Sequence, residues 1–255
     1  MDITFNCVAS GSSGNCYFLE TPHSAVFIDC GVPLKTILSV ADEKRLMNKE
    51  IHLFITHEHH DHVSGLKPFV NRFSPKIYSS EGTASAIDDS IGHLSHIYVL
   101  QGGCEYELSG FSVIPFSISH DCAEPFGYRF RMGEKVATFA TDLGVVTKEV
   151  ERFLCCTDVL VLESNYEPSL LKDGKYPAYL KKRIAGHKGH LSNRDAMKIL
   201  GSVTGSGIGR VYLAHVSEEN NDYNLLENYA SFCKKNYLTD TYVLRKETPE
   251  TGVIL

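Results

Sequence analysis

The sequence predicts an α/β protein folded as a four-layer αββα sandwich. Short strands joined by turns give way to amphipathic helices, once in residues 3–73 and again in residues 111–237. No linker, low-complexity tract or short-period repeat interrupts the chain. We therefore expect a single domain over residues 1–255.

The N-terminal half begins with short strands joined by tight turns. Its predicted strands cover residues 3–9, 16–20, 25–28 and 51–55. The turn at 10–15 is rich in serine and glycine, and Pro22 lies in the next one. Apolar residues at helical spacing predict helices at 33–47 and 63–73. This half thus supplies one sheet and helices that can cover it.

The C-terminal half repeats this order. Its predicted strands cover residues 111–118, 126–132, 136–140, 158–162 and 211–214. Helices are predicted at 192–203 and 222–237, and Ser192 with Asp195 three residues later resembles a capping box at the start of the first of them. A second sheet with its own helices follows from this pattern.

The composition is that of an ordinary globular protein, with 43% hydrophobic and 22% charged residues. The longest apolar runs are about five residues, too short to cross a membrane, and the first residues carry no secretory signal. We therefore expect a cytoplasmic protein whose eight cysteines are reduced and mostly buried. A net charge of −6 argues against general coating of nucleic acid but permits a local basic patch.

A histidine-rich run, His57-Glu58-His59-His60-Asp61-His62, directly follows the predicted strand at 51–55. Alternate residues of extended backbone point the same way, so His57 and His59 can bind one ion together. The turn into the next helix then directs Asp61 and His62 toward a second ion. Imidazole and carboxylate are ligands of Zn²⁺ and similar divalent ions. A polar surface turn is the alternative interpretation.

This run resembles the HxHxDH signature of the metallo-β-lactamase superfamily, whose fold is the sandwich predicted above. The resemblance implies a later histidine, aspartate and histidine at strand ends, and the chain has His120, Asp142 and His215 after predicted strands. Asp29 matches an early family aspartate that is usually structural. His60 and Cys122 are expected not to bind metal. Four further histidines are expected to be ordinary, namely His23, His52, His93 and His96.

The same resemblance implies a ligand set for two divalent ions per chain. One ion would be bound by His57, His59 and His120, and the other by Asp61, His62 and His215. Asp142 would bridge them. Zn²⁺ and Mn²⁺ are the expected ions, and Fe²⁺ is a further candidate, because every ligand is nitrogen or oxygen. Such a pair would activate a bridging hydroxide for attack on an ester, lactam, thioester or phosphodiester.

Three later motifs resemble those of nuclease branches of the superfamily, including tRNase Z and RNase J-type enzymes, and most closely the YycJ/WalJ group. They lie at residues 163–166, 189–193 and 215–221. The resemblance makes Asp61, Glu163 and His190 the expected catalytic residues. His190 would stabilise the phosphorane or protonate the leaving oxygen, and Glu163 would orient a histidine or a metal-bound water. Only 26 residues separate Glu163 from His190, so a β-CASP insertion is excluded.

A basic segment, the lip, covers residues 175–194 and contains six lysines and arginines with no Asp or Glu. We expect phosphate contacts from Lys181, Lys182 and Arg183, although a solvated helix face is the alternative. Further expected substrate contacts are Ser12, Ser13, Asn15, Ser192 and Asn193. The segment at 10–15 would offer backbone N–H groups to a phosphate, or serve as a simple turn.

These observations together favour a phosphodiesterase that degrades polynucleotides from an end. The YycJ/WalJ resemblance implies a 5′→3′ exonuclease for which DNA is the favoured partner and RNA a possible one, with no membrane partner. The alternative function is a hydrolase of a small molecule, such as a cyclic nucleotide, a lactone or a thioester. A non-catalytic metal-binding scaffold is disfavoured because the ligand set is complete.

Overall fold

The structure is a computed structural model that describes residues 3–91, 96–246 and 248–255. The strands are β1 Thr4–Ala9, β2 Cys16–Glu20, β3 Ser24–Ile28, β4 Glu50–Phe54, β5 Lys76–Ser79, β6 Ile97–Val99, β7 Tyr106–Leu108, β8 Phe111–Ser117, β9 Phe126–Met132, β10 Lys135–Ala140, β11 Val159–Glu163, β12 Arg210–Ala214, β13 Asp240–Val243 and β14 Glu250–Ile254. The helices are α1 Leu34–Val40, α2 Glu43–Leu46, α3 His60–Val63, α4 Leu66–Phe73, α5 Glu81–Ile91, α6 Lys148–Leu154, α7 Pro168–Asp173, α8 Ala178–Ile184, α9 Asn193–Val203 and α10 Tyr223–Tyr237.

The strands form two mixed seven-stranded sheets. One has the order β14-β1-β2-β3-β4-β5-β6, and the other β13-β12-β11-β10-β9-β8-β7. Strands β3 to β6 run parallel to one another in the first sheet, as do β10 to β13 in the second. Parallel neighbours end at the same edge of a sheet, so the loops that follow them lie side by side.

Three apolar layers hold the sandwich together. The middle one lies between the sheets and is rich in aromatic rings, with Phe54 packed against Tyr128 and Phe5 against Tyr212. A second layer packs Phe27 of β3 against Phe69 of α4. The third layer lies between the other sheet and helices α6, α9 and α10. This arrangement confirms the predicted αββα sandwich.

Local departures from the predicted elements have identifiable causes. The helix predicted at 33–47 is two short helices, α1 and α2, and the helix predicted at 63–73 is interrupted before α4. At this break a Cβ on Gly65 would lie 1.9 Å from the carbonyl oxygen of Val32. The chain must therefore approach the preceding loop closely here, which only glycine permits. Short elements such as α7, α8 and β13 carry too few residues for a periodic signal and were not predicted.

The cysteines are free, as expected, but only four of the eight are buried. No helix in the described parts of the chain has the length and apolarity needed to cross a bilayer. His60 is exposed, and the ring of His52 contacts those of Tyr78 and Phe111. His93 lies outside the described residues.

Candidate metal centre

The predicted ligands converge where strands of both sheets end. The histidine-rich run follows β4, and His120, Asp142 and His215 follow β8, β10 and β12. Because β10, β11 and β12 are parallel neighbours, the residues after them meet at one edge of the second sheet. Contacts between His59 and His120 join this edge to the run from the first sheet. The site therefore lies across the ends of both sheets.

Three of the strand-end residues have left-handed backbone conformations. The φ angles are +58° at Asp29, +59° at Asp142 and +52° at His215. This conformation costs energy in residues other than glycine, although Asp and His adopt it more readily than most. It turns the chain sharply after each strand. Backbone strain is therefore concentrated at the convergence of the predicted ligands.

His57, His59 and His120 form one group whose ligand atoms lie within 4.8 Å of one another. His59 Nδ1 lies 3.2 Å from His120 Nε2. The ring centre of His57 lies 4.6 Å from that of His59 and 4.9 Å from that of His120. Three imidazole nitrogens at this separation can bind one divalent ion.

Asp61, His62 and His215 form a second group. Asp61 Oδ2 lies 3.5 Å from both His62 Nε2 and His215 Nε2. Asp142 lies between the two groups, with Oδ2 3.2 Å from His62 Nε2 and Oδ1 3.9 Å from His120 Nε2. Its carboxylate thus faces both groups at once.

The side chains of this centre fit divalent cations. His57 Nε2 is buried and has no hydrogen-bond partner in the described parts of the chain. Leaving such an atom unpaired is costly unless something else satisfies it. The donor set of imidazole nitrogens and carboxylate oxygens is that of Zn²⁺, Mn²⁺ and Fe²⁺ sites. A bound metal ion would supply the missing partner.

The electrostatics of the centre also favour cations. Burial works against the charged form of His215, but Asp142, Asp61 and Glu163 outweigh it and raise the pKa of His215 to about 10. Burial likewise opposes the charged form of His62, yet Asp29 and Asp142 raise its pKa well above the usual value. Buried carboxylates therefore demand positive charge here, which protons supply when metal ions do not.

Further contacts orient the histidines. Asp29 Oδ2 lies 2.7 Å from His62 Nδ1, and Oδ1 accepts a hydrogen bond from the backbone N–H of Thr56 at 2.8 Å. His120 Nδ1 lies 3.1 Å from the carbonyl oxygen of Gly189. These contacts use Nδ1 and leave Nε2 of both rings facing the centre, the arrangement usual for metal-binding histidines.

Glu163 is fully buried at the end of β11 and contacts two histidines with one oxygen. Its Oε1 lies 2.8 Å from His190 Nδ1 and 2.9 Å from His215 Nδ1. Its Oε2 accepts hydrogen bonds from the backbone N–H groups of Leu143 at 2.9 Å and Leu191 at 3.0 Å. Burial disfavours ionisation, but the two imidazoles outweigh it and lower the pKa of Glu163. The carboxylate orients both rings.

His190 lies over the centre. Its ring centre is 5.2 Å from that of His120 and 5.2 Å from that of His215. His190 also belongs to a further group of possible ligand residues, with Asp142, Glu163 and His215. The Nδ1 atoms of His190 and His215 already form hydrogen bonds with Glu163, so they are poorly placed to bind an ion. The side chain remains 21% exposed, which leaves it accessible from outside.

The loop at 10–15 differs from its prediction at one residue. Ser12 and Ser13 are exposed and line a pocket of about 150 Å³ with Tyr176 and Ser217. The predicted substrate contact Asn15 is instead fully buried. Its Oδ1 accepts from the N–H of Gly11, and its Nδ2 lies 3.1 Å from His62 Nε2 and 3.3 Å from Asp61 Oδ2. Asn15 holds the loop against the ligands, because its amide is taken up by protein partners.

Ser192 and Asn193 are also buried, contrary to their prediction as substrate contacts. Ser192 caps α9 by accepting a hydrogen bond from the N–H of Asp195 at 3.1 Å, as the capping box predicted. Asn193 accepts a hydrogen bond from Ser164 at 2.8 Å and donates to Asn221 at 2.9 Å. Asn193 therefore connects the motifs at residues 163–166, 189–193 and 215–221 by hydrogen bonds. Ser192 and Asn193 support the structure of the site.

The basic lip lies beside the centre but uses its cations unequally. Lys181 Nζ donates to the carbonyl oxygen of Lys172 at 2.7 Å. Arg183 pairs with Asp121. No role was predicted for Asp121 from the sequence, although this residue directly follows His120. The side chain of Lys182 is exposed. Of the three predicted phosphate contacts, Lys181 is therefore the one turned back onto the protein.

Comparison with known proteins agrees with this geometry. A family model described as a β-lactamase superfamily domain matches residues 26–216. Exodeoxyribonuclease WalJ of Streptococcus pneumoniae serotype 2 is 31% identical over 222 residues, covering 85% of this chain and 82% of that protein. Exodeoxyribonuclease YycJ of Bacillus anthracis is 30% identical over 224 residues, covering 87% and 85%.

Solved structures share the fold at lower identity. The metallo-β-lactamase fold protein YhfI from Bacillus subtilis has a TM-score of 0.76 at 14% identity, covering 99% of this chain and 100% of that chain. The short form of human tRNase Z has a TM-score of 0.66 at 16% identity, covering 98% of both chains. The family match and the relatives establish that the chain belongs to the metallo-β-lactamase superfamily of metal-dependent hydrolases.

Proposed function

We propose that this protein is a two-metal phosphodiesterase that removes nucleotides from the ends of DNA in the 5′→3′ direction. The observation that carries this proposal is the position of His190, which lies between the rings of His120 and His215 and is held by Glu163. A proton donor in that position suits the cleavage of a bond whose leaving group is an alkoxide.

The residues that would bind the two ions are those of the two ligand groups, together with Asp142 between them. They are His57, His59, His120, Asp61, His62, His215 and Asp142. When bound, Zn²⁺ or Mn²⁺, with Fe²⁺ as a further candidate, would lower the pKa of water and neutralise charge on phosphate oxygens. Asp142 faces both groups and is the proposed bridging ligand.

Glu163 and His190 would act together in proton transfer. Because Glu163 Oε1 lies 2.8 Å from His190 Nδ1, it holds a proton on that nitrogen and turns Nε2 toward the substrate. His190 would then donate a proton from Nε2 to the departing oxygen. Asp61 contacts His62 and His215 and would orient these two rings on the side from which the nucleophile attacks.

A polynucleotide substrate is supported by the lip and by the names of the relatives. Lys182 and Arg183 extend the site with positive charge on a protein of net charge −6. Basic side chains beside an active site increase affinity for phosphate backbones. The relatives that are 30–31% identical carry the name exodeoxyribonuclease, which supports DNA over RNA. The rival substrate class is a small cyclic nucleotide, lactone or thioester.

A substrate comparison tests this proposal. Protein reconstituted separately with Zn²⁺, Mn²⁺ and Fe²⁺ would be incubated with DNA and RNA labelled at either end and with the small-molecule rivals. We expect DNA to be shortened from its 5′ end, with RNA cleaved more slowly. Asp142→Asn protein, prepared in parallel, measures contaminating nuclease. Turnover of a small ester with no polynucleotide cleavage under any metal would overturn the proposal.

A further inference from the structure

Helix α8 presents three side chains suited to a nucleic-acid strand on one face. Tyr179, Lys182 and Arg183 are spaced three and four residues apart, which places them on the same side of the helix. Tyr179 is 76% exposed, an unusual position for an aromatic ring without a ligand. One helical turn, about 6 Å along the axis, separates it from Arg183.

Asp121 fixes the position of Arg183. The guanidinium donates through Nε to Asp121 Oδ2 and through Nη2 to Oδ1, the second at 3.2 Å. Asp121 Oδ1 in turn lies 3.6 Å from His120 Nε2. The Arg183 Nη2 atom is thus no more than about 7 Å from the nitrogen that His120 directs to the metal centre. A phosphate group bound by Arg183 would therefore lie beside the metal centre.

The pairing leaves donors on the guanidinium free. A guanidinium has five N–H groups in a planar fork, and Asp121 takes one from Nε and one from Nη2. Those of Nη1 are directed away from Asp121, and the side chain is 55% exposed. An arginine held in this way loses little conformational freedom when it binds a phosphate. An ion pair that served only to fasten α8 would not need to lie beside a metal ligand.

We propose that Arg183, oriented by Asp121, binds a backbone phosphate of a single strand beside the metal centre while Tyr179 stacks on a neighbouring base. This inference rests on the proposed polynucleotide activity and deepens it by specifying single-stranded ends. Asp121 is a positioning residue, because it acts through Arg183. Stacking on an exposed aromatic ring requires an unpaired base, whereas a duplex would present only its backbone to Tyr179.

Binding measurements on the metal-loaded protein test this inference. The probe is a fluorescent, cleavage-resistant phosphorothioate strand of ten deoxythymidines, compared with a hairpin duplex of the same backbone. Arg183→Ala should weaken single-strand binding about tenfold and flatten the log–log salt dependence by about 0.7. Tyr179→Ala should cost about tenfold on the single strand and much less on the duplex, and Tyr179→Phe should retain wild-type affinity.

Matched controls separate binding from folding. Arg72→Ala removes an arginine of similar exposure whose partner, Glu43, belongs to none of the groups of possible ligands. Phe232→Ala removes an aromatic ring that is 48% exposed. Both should bind the strand as wild type does. Asp121→Asn keeps the charge of Arg183, so it should lower kcat/KM for DNA while leaving the salt slope unchanged.

The outcomes distinguish this inference from the function on which it rests. If Asp121→Asn and Arg183→Ala lose equal affinity with unchanged salt slopes, the pair is only a fastening for α8 and the inference is wrong. Equal losses on single strand and duplex for Tyr179→Ala would refute stacking. If wild-type protein neither binds nor cleaves any polynucleotide, the proposed function itself fails.

Discussion

Replacing Glu163 with glutamine probes the contact that links the proposed proton donor to a metal ligand. Four donors converge on this carboxylate: His190 Nδ1 and His215 Nδ1 on one oxygen, and the N–H groups of Leu143 and Leu191 on the other. Glutamine has nearly the same shape but offers one acceptor oxygen and one NH₂ group. Either the two imidazoles or the two backbone N–H groups must therefore face the NH₂ group of glutamine, a donor, in place of an acceptor oxygen.

The imidazoles are the pair that can adapt. A backbone N–H cannot stop donating, whereas a neutral histidine can move its proton from Nδ1 to Nε2. We therefore expect the amide oxygen to remain on the backbone pair and the NH₂ group to face His190 and His215. Folding stability should fall by only about 1–3 kcal/mol, because charged hydrogen bonds become neutral ones. Function should suffer more, since a proton on His215 Nε2 blocks metal binding.

The expected losses follow from these two changes. Metal affinity at the group containing His215 should fall about 10–100-fold. The kcat should fall roughly 10²–10⁴-fold because His190 loses the carboxylate that orients its ring for proton transfer. Elemental analysis, thermal unfolding and hydrolysis of bis(p-nitrophenyl) phosphate measure the three quantities. Glu167→Gln is the matched control, because Glu167 accepts a hydrogen bond from Asn193 and belongs to none of the groups of possible ligands. Two bound ions with kcat within threefold of wild type would refute the reasoning.

Three further predictions follow from the geometry. Asp142→Ala should lower the occupancy of both ions, because this carboxylate faces both ligand groups; elemental analysis that shows only one ion lost contradicts bridging. His190→Ala should keep both ions but lower kcat roughly 10²–10⁴-fold, and loss of metal would instead identify His190 as a ligand. In metal-free protein the pKa of His215 is raised from 6.5 to about 10, so its stabilisation is complete below pH 6.5 and disappears as the pH rises through 10. The melting temperature of metal-free protein should therefore fall across that window more than that of loaded protein, and a rise would contradict the electrostatics.

The histidine-rich run could be singled out from the sequence because it is a compact motif directly after a buried strand. The resemblance to the superfamily implied His120, Asp142 and His215, and each of them stands where a strand ends. Strand ends in a parallel sheet meet at one edge, so residues far apart in the chain can be assigned to one site. The main fold followed for the same reason, since strand and helix periodicity survive in long elements.

The supporting contacts were not predictable in the same way. Asn15 and Asn193 have the polarity of substrate-binding residues, but the structure buries them in contacts with backbone and with other motifs. Sequence shows residue type and spacing, whereas burial depends on how distant loops pack. The partner of Arg183 was missed for the same reason, because Asp121 lies 62 positions away and no periodic pattern connects them.

The most direct test of the account measures DNA cleavage against metal content in one titration. Metal-free protein would receive increasing amounts of Zn²⁺ or Mn²⁺, and release of nucleotides from 5′-labelled DNA would be followed at each loading. We expect little activity up to one ion per chain and a rise toward full activity as the second ion binds, with products released from the 5′ end. Full activity at one ion per chain, or no DNA cleavage at two, would contradict it.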